Sequence, residues 1–106
     1  MKSAIAISGM VSIVLMSVAA VYCLDAGLDH GKEVYAMQKC ALCHSISGIV
    51  GKKQPLDGVG SKLKAEDIKK WIRTPKAMKT NTTMKSYPNL PEKDLSDLTT
   101  FLMTLR

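Results

Sequence analysis

Cys40, Cys43 and His44 lie in the run Cys40-Ala41-Leu42-Cys43-His44. Two thiols with two residues between them and an imidazole directly after the second suit one chemistry above others, the covalent attachment of a c-type haem. Each sulfur can form a thioether to one haem vinyl group, and the spacer lets both reach one edge of the macrocycle. The imidazole then sits beneath the iron as a proximal axial ligand. The competing chemistries need partners. A structural zinc site takes a second ligand pair at suitable spacing, and the sequence offers none. A thioredoxin-like dithiol needs a strand–helix–strand setting, and no such alternation is present.

An iron held on one side by imidazole is defined by what occupies its other side. The chain has seven methionines. Met1, Met10 and Met16 belong to an apolar N-terminal stretch. Met37 precedes the motif and is expected in the core, and Met103 falls in a helix near the end, where methionine usually fills gaps. Met78 and Met84 remain, both after Pro75 in a segment expected to be a loop. A loop can fold over a haem face and aim a thioether at it. Met84 is the favoured ligand, because Tyr87 and Pro88 follow it and can close the haem edge. Trp71 and Tyr87 are candidate cofactor contacts through their N–H and O–H groups, or core aromatics with a polar edge at the surface. His30 as a second imidazole ligand is disfavoured by its place in the first helix, and an exposed surface histidine is expected.

The elements that must position these groups read as helices, with no strand apparent. Leu28-Asp29-His30-Gly31 opens a short helix with Asp29 as N-cap, its apolar side supplied by Val34, Tyr35 and Met37. Ser45 to Ser61, rich in Gly, Ser and Lys, reads as loop. Leu63 to Arg73 is a second helix with Ile68, Trp71 and Ile72 on one face. Pro75 ends it, because the residue before a proline avoids helical geometry. Lys76 to Pro91 is a second loop. Asp94 to Leu105 is the last helix, with a wide apolar stripe through Leu95, Leu98, Phe101, Leu102 and Leu105.

The chain has 106 residues. Residues 1–26 read as a signal peptide or a membrane anchor, and 27–106 as one small domain. Lys2 and the small residues around Ala20 and Ala26 fit a cleaved secretory signal. The apolar run 4–24 is also long enough to span a bilayer, so membrane association through it is the alternative. Lipidation at Cys23 is a third option, weakened by Tyr22 before it. All three place the domain in the periplasm or on the extracytoplasmic face of a membrane. Remaining beyond residue 26 are about 80 residues, a size that usually needs a staple, and a covalent haem is one. The net charge is +6 and the pI about 9.4. That favours acidic partners, and Lys52, Lys53, Lys76, Lys79 and Lys85 can ring a haem edge for docking. Nucleic acid is disfavoured, because no recognition motif accompanies the charge and the leader exports the chain.

After the leader the chain resembles class I c-type cytochromes, the small monohaem cytochromes c, through an ordered set of landmarks. Gly31-Lys32-Glu33-Val34-Tyr35 looks like the family's first helix, whose glycine lets the last helix cross closely. Cys40 to His44 is the haem motif. Pro55-Leu56-Asp57-Gly58-Val59-Gly60 is similar to the family's proline loop, whose carbonyl accepts the proximal histidine's N–H, although Gln54-Pro55 stands where a Gly-Pro pair is common. Trp71-Ile72-Arg73-Thr74-Pro75 matches the helix end before the ligand loop. Met84 lies nine residues after Pro75, the usual place of the distal methionine. Asp97 to Leu102 looks like the closing helix.

The resemblance implies an all-α cytochrome c fold, three to four short helices and two loops around one covalent haem c. It implies Cys40 and Cys43 as attachment points, His44 and Met84 as iron ligands, and Pro55, Trp71 and Tyr87 as haem contacts. The function expected is single-electron transfer between respiratory or other redox proteins outside the cytoplasm, with no bond broken and no enzyme activity. The alternative is a membrane-anchored haem subunit of a larger electron-transfer complex. A gas-binding or peroxidatic protein is a further class, and it would need Met84 to be absent from the iron.

Overall fold

The computed structural model describes residues 25–49 and 54–106. The run 4–24 with Cys23, and Lys52 and Lys53, lie outside the described residues. Helix α1 covers 25–37 of them. It crosses α5, Glu92–Met103, at Gly31, where a Cβ would land on the Asp97 carbonyl oxygen. Beside that crossing Val34 is fully buried, and Tyr35 meets Phe101 edge-on at 5.6 Å between centroids. His30 Nδ1 lies 2.7 Å from Asp97 Oδ2, and its Nε2 lies 3.4 Å from Asp94. His30 therefore ties α1 to α5, where an exposed surface residue is expected. Met37 is also corrected: it is 65% exposed and no part of the core. Asp29 lies inside α1 and does not cap it.

Lys39 stops α1 with a left-handed backbone, φ 57°, a common helix ending that most side chains resist. The chain then makes a 3₁₀ turn, Cys40–Leu42, and enters β1, His44–Ser45. β1 pairs in parallel with β2, Gln54–Pro55, His44 opposite Gln54. The expected loop is thus pinned at its base by a short ladder that composition does not reveal. Leu56 N–H closes it on the Ser45 carbonyl at 2.8 Å.

α2, Val59–Lys62, is a single turn whose Gly60 lies against the Met103 carbonyl with no room for a Cβ. It is separate from α3, Ala65–Arg73, because Leu63 is extended at φ −122°, ψ 149°. The helix expected from Leu63 therefore starts two residues later, and α2 is an additional turn where loop is expected. α3 buries Ile68 and Ile72 and turns Lys70 to solvent. It stops before Pro75, as the proline demands. That same proline then opens α4, Pro75–Met78, from the first-turn position it favours.

α5 begins two residues before the expected Asp94, after Pro91. It buries Leu95, Leu98, Thr99 and Leu102, and the Thr99 hydroxyl donates to the Leu95 carbonyl at 2.7 Å, which satisfies it in the core. The core joins Val34, Ile68, Ile72, Leu90, Leu95, Leu98 and Leu102. The fold is mostly helical, as expected. No helix among the described residues is long and apolar enough to cross a membrane.

Candidate haem site

One cavity of about 520 Å³ collects most of the predicted site, a size ordinary for a cofactor pocket. Cys40, Cys43, His44, Met84, Trp71 and Tyr87 all line it, whereas Pro55 and Met78 do not. Its walls include side chains of the core itself: Ile68 and Ile72 from α3, Leu98 and Leu102 from α5, and Leu90 before α5. The helices have thus buried their apolar stripes on one another while leaving a space between them that apolar atoms line. An apolar plate fits such a space.

His44 Nδ1 lies 2.9 Å from the Gln54 carbonyl oxygen. A carbonyl only accepts, so the imidazole donates from Nδ1, which leaves Nε2 as the nitrogen that can take a metal. This is the arrangement by which a metal-binding histidine is oriented and made more basic. The β1–β2 register places this carbonyl, since His44 and Gln54 face each other across it. The residue immediately before Pro55 is therefore the acceptor. Pro55 itself is exposed and off the cavity lining. Residue types do not reveal Gln54, because any residue there supplies a carbonyl.

Cys40 is half-buried and Cys43 exposed, and neither is in a disulfide among the described residues. Burial pushes the Cys40 thiol above its ordinary value, with the neighbouring Cys43 adding to the effect. Tyr35 and Tyr87 are likewise raised, chiefly by burial, so both hydroxyls remain neutral donors. Tyr87 O–H reaches the Gln38 carbonyl at 3.1 Å, and Tyr35 O–H reaches the His44 carbonyl at 3.5 Å. Each phenol thus braces the segment leading into or out of the thiol motif.

Met84 stands in an irregular stretch between α4 and α5, as a loop-borne ligand must. Charge around the cavity is one-sided. Lys39, Lys79 and Lys85 line it, and no Asp or Glu does among the described residues. Lys76 is exposed and off the lining. Lys85 Nζ also lies 5.4 Å from the centre of the Tyr87 ring, within cation–π reach.

Apolar walls, two thiols, an oriented imidazole, a thioether and a basic rim together fit a haem, whose propionates are anionic. The residues that would hold it are Cys40 and Cys43 through carbon–sulfur bonds and His44 and Met84 through the iron. A haem so held supplies one-electron chemistry, the iron cycling between two oxidation states. These features define a small helical haem protein with covalent attachment.

The cytochrome c family profile matches residues 28–106, and the chain belongs to the cytochrome c family, whose members carry covalently bound haem c. It is also similar to a cytochrome c oxidase subunit 2 from Alkalihalophilus pseudofirmus, 25% identical over 88 residues. That match covers 74% of this chain and 25% of the relative, so the chain spans about a quarter of the relative's length. No solved structure matches it.

Proposed function

We propose that this protein is a monohaem electron carrier working outside the cytoplasm, with His44 and Met84 as the two axial ligands of its iron. The observation that carries this reading is a single cavity lined by both thiols, the Met84 thioether and an imidazole whose Nδ1 is committed to a carbonyl. With both axial positions taken by side chains, no coordination site is left for a substrate, and the protein exchanges electrons without bond chemistry. A thioether ligand and an apolar pocket both favour the ferrous state and raise the potential. Lys79 and Lys85 at the cavity lining favour acidic docking patches on its redox partners.

Export is supported by the apolar run 4–24. A second reading, an anchored haem subunit of a respiratory complex, draws on the same run and on the likeness to an oxidase subunit. Intact mass of the protein isolated from its native membrane or periplasm tests these together. A mass equal to the chain plus one haem, after acid–acetone extraction, is expected. Haem lost to the solvent sinks the covalent reading. Release in the soluble fraction with residues 1–26 removed favours the carrier, and co-purification of the full chain with an oxidase in detergent favours the subunit.

A further inference from the structure

Met84 hangs on a loop with unequal legs. From Lys79 to Pro91 no residue is helical or in a strand. The near leg is tied by α4, where Lys79 N–H meets the Pro75 carbonyl at 3.0 Å. Among the described residues the Met84 amide itself reaches only the neighbouring Thr82 hydroxyl, at 3.2 Å. The ties to the body of the protein come afterwards. Tyr87 N–H donates to the Ile72 carbonyl at 2.9 Å, and its hydroxyl donates to Gln38.

Arg73, the last residue of α3, completes the grip. Its Nη1 donates to the Pro88 carbonyl at 2.9 Å and to the Tyr87 carbonyl at 3.4 Å. Its Nη2 meets Glu92 at 2.9 Å, at the first turn of α5. One guanidinium thus joins the end of α3, the far leg of the loop and the start of α5. Its side chain is only 22% exposed, against 85% for Glu92. The bonds to the carbonyls are charge-assisted and partly sheltered, while the ion pair reaches an open carboxylate and contributes little. Arg73 does not line the cavity.

We infer that Arg73 is a positioning residue for the distal ligand: by gripping the Tyr87 and Pro88 carbonyls it sets how readily Met84 leaves the iron. The inference rests on Met84 being that ligand. For Met84 to detach, the loop must lift, and the far leg cannot lift while the guanidinium holds two of its successive carbonyls. A competing ligand binds only the lifted state, so its apparent affinity scales with the fraction lifted.

The test is imidazole titration of the ferric holoprotein, followed in the visible spectrum, for wild type and for R73Q, R73K, E92Q, L95A and M84A. M84A removes the ligand and gives the affinity of the open site. R73Q is expected to bind imidazole about tenfold more tightly than wild type, equivalent to about 1.4 kcal/mol. R73K, a point charge without the planar fork, is expected between the two, and E92Q near wild type. Leu95 is buried in α5 and off the cavity lining. L95A therefore lowers the denaturant midpoint without raising imidazole affinity, which separates loop control from general loss of stability.

Equal affinities for wild type and R73Q, with M84A raised, overturn the inference while leaving the ligand reading intact. An unchanged M84A removes both. Affinities that track the loss of midpoint across R73Q and L95A alike also overturn it. If R73Q fails to take up haem, R73K decides, and wild-type affinity there overturns the inference.

Discussion

Gly31 in α1 lies so close to the carbonyl oxygen of Asp97 in α5 that a methyl group on it would overlap that oxygen and crowd the Phe101 Cβ. The two helices cross at contact distance because this position has no side chain. Replacing Gly31 with alanine must push α1 away from α5. Overpacking of this kind costs about 1–3 kcal/mol. Equilibrium urea unfolding of the holoprotein checks it. G31A is expected to lower the unfolding free energy by that amount while A36S, at an exposed position of the same helix, leaves it near wild type.

The same crossing carries a pH dependence. Asp97 accepts from Lys93 at 3.0 Å and faces His30 at 2.7 Å. The Lys93 hydrogen bond first and His30 second hold its carboxyl below the ordinary value of 3.8. A carboxyl depressed in the folded state stabilises the protein above its unfolded value and loses that contribution as pH falls through the folded one. D97N is therefore less stable than wild type at pH 7, and the gap begins to narrow below about pH 4, where the unfolded carboxyl protonates, and closes once pH has passed the depressed folded value. Urea midpoints at the two pH values decide it. A gap that is constant with pH would show that the charge on Asp97 contributes nothing.

Met84 lies on the cavity lining, and Met78, in α4, lies off it. M84A is expected to abolish the weak red absorption band of a methionine–ferric bond and to lower the potential, whereas M78A retains both. Optical spectra and potentiometric titration of the two variants suffice. Retention of the band in M84A would transfer the ligand role elsewhere.

Lys79 and Lys85 line the cavity, and Lys76 does not. Replacing Lys79 and Lys85 with glutamine is expected to slow second-order electron transfer to an acidic partner and to flatten its salt dependence. Replacing Lys76 alone should have a smaller effect. Screening supplies the control, because the Debye length shrinks from about 10 Å at 0.1 M salt to about 3 Å at 1 M. Stopped-flow rates over that range check it, and a rate indifferent to salt and to both lysines overturns the docking role.

What the sequence discloses here is what side chains encode. The thiol motif, the apolar stripe of α5 and the stop before Pro75 depend on residue type and spacing, and each is found in the structure. So is the close crossing at Gly31, expected through the family resemblance. Gln54 and Arg73 were not legible. Gln54 acts through a backbone carbonyl that any residue provides, aimed by a ladder of two residues too short to leave an alternating pattern. Arg73 reads as one more basic residue at a helix end, and only the return of the chain at Tyr87 and Pro88 gives it partners. His30 escaped for a similar reason, since its carboxylates lie more than sixty residues away. The second helix reads as starting at Leu63 because that side chain is apolar, whereas its backbone is extended and α3 starts at Ala65.

The His44 imidazole and its Gln54 acceptor are ten residues apart, while the Met84 thioether that shares their cavity lies forty residues beyond His44. The two halves of the site are therefore unequal in time as well as in distance. A chain emerging from the ribosome offers both thiols and an oriented imidazole well before it offers the loop after α4. Closing short loops precedes closing long ones, so the half that captures the cofactor can be finished before the half that seals it exists. The spacing of these residues thus sets an order in which the two halves of the cavity can close, the thiols and imidazole first and the thioether loop last.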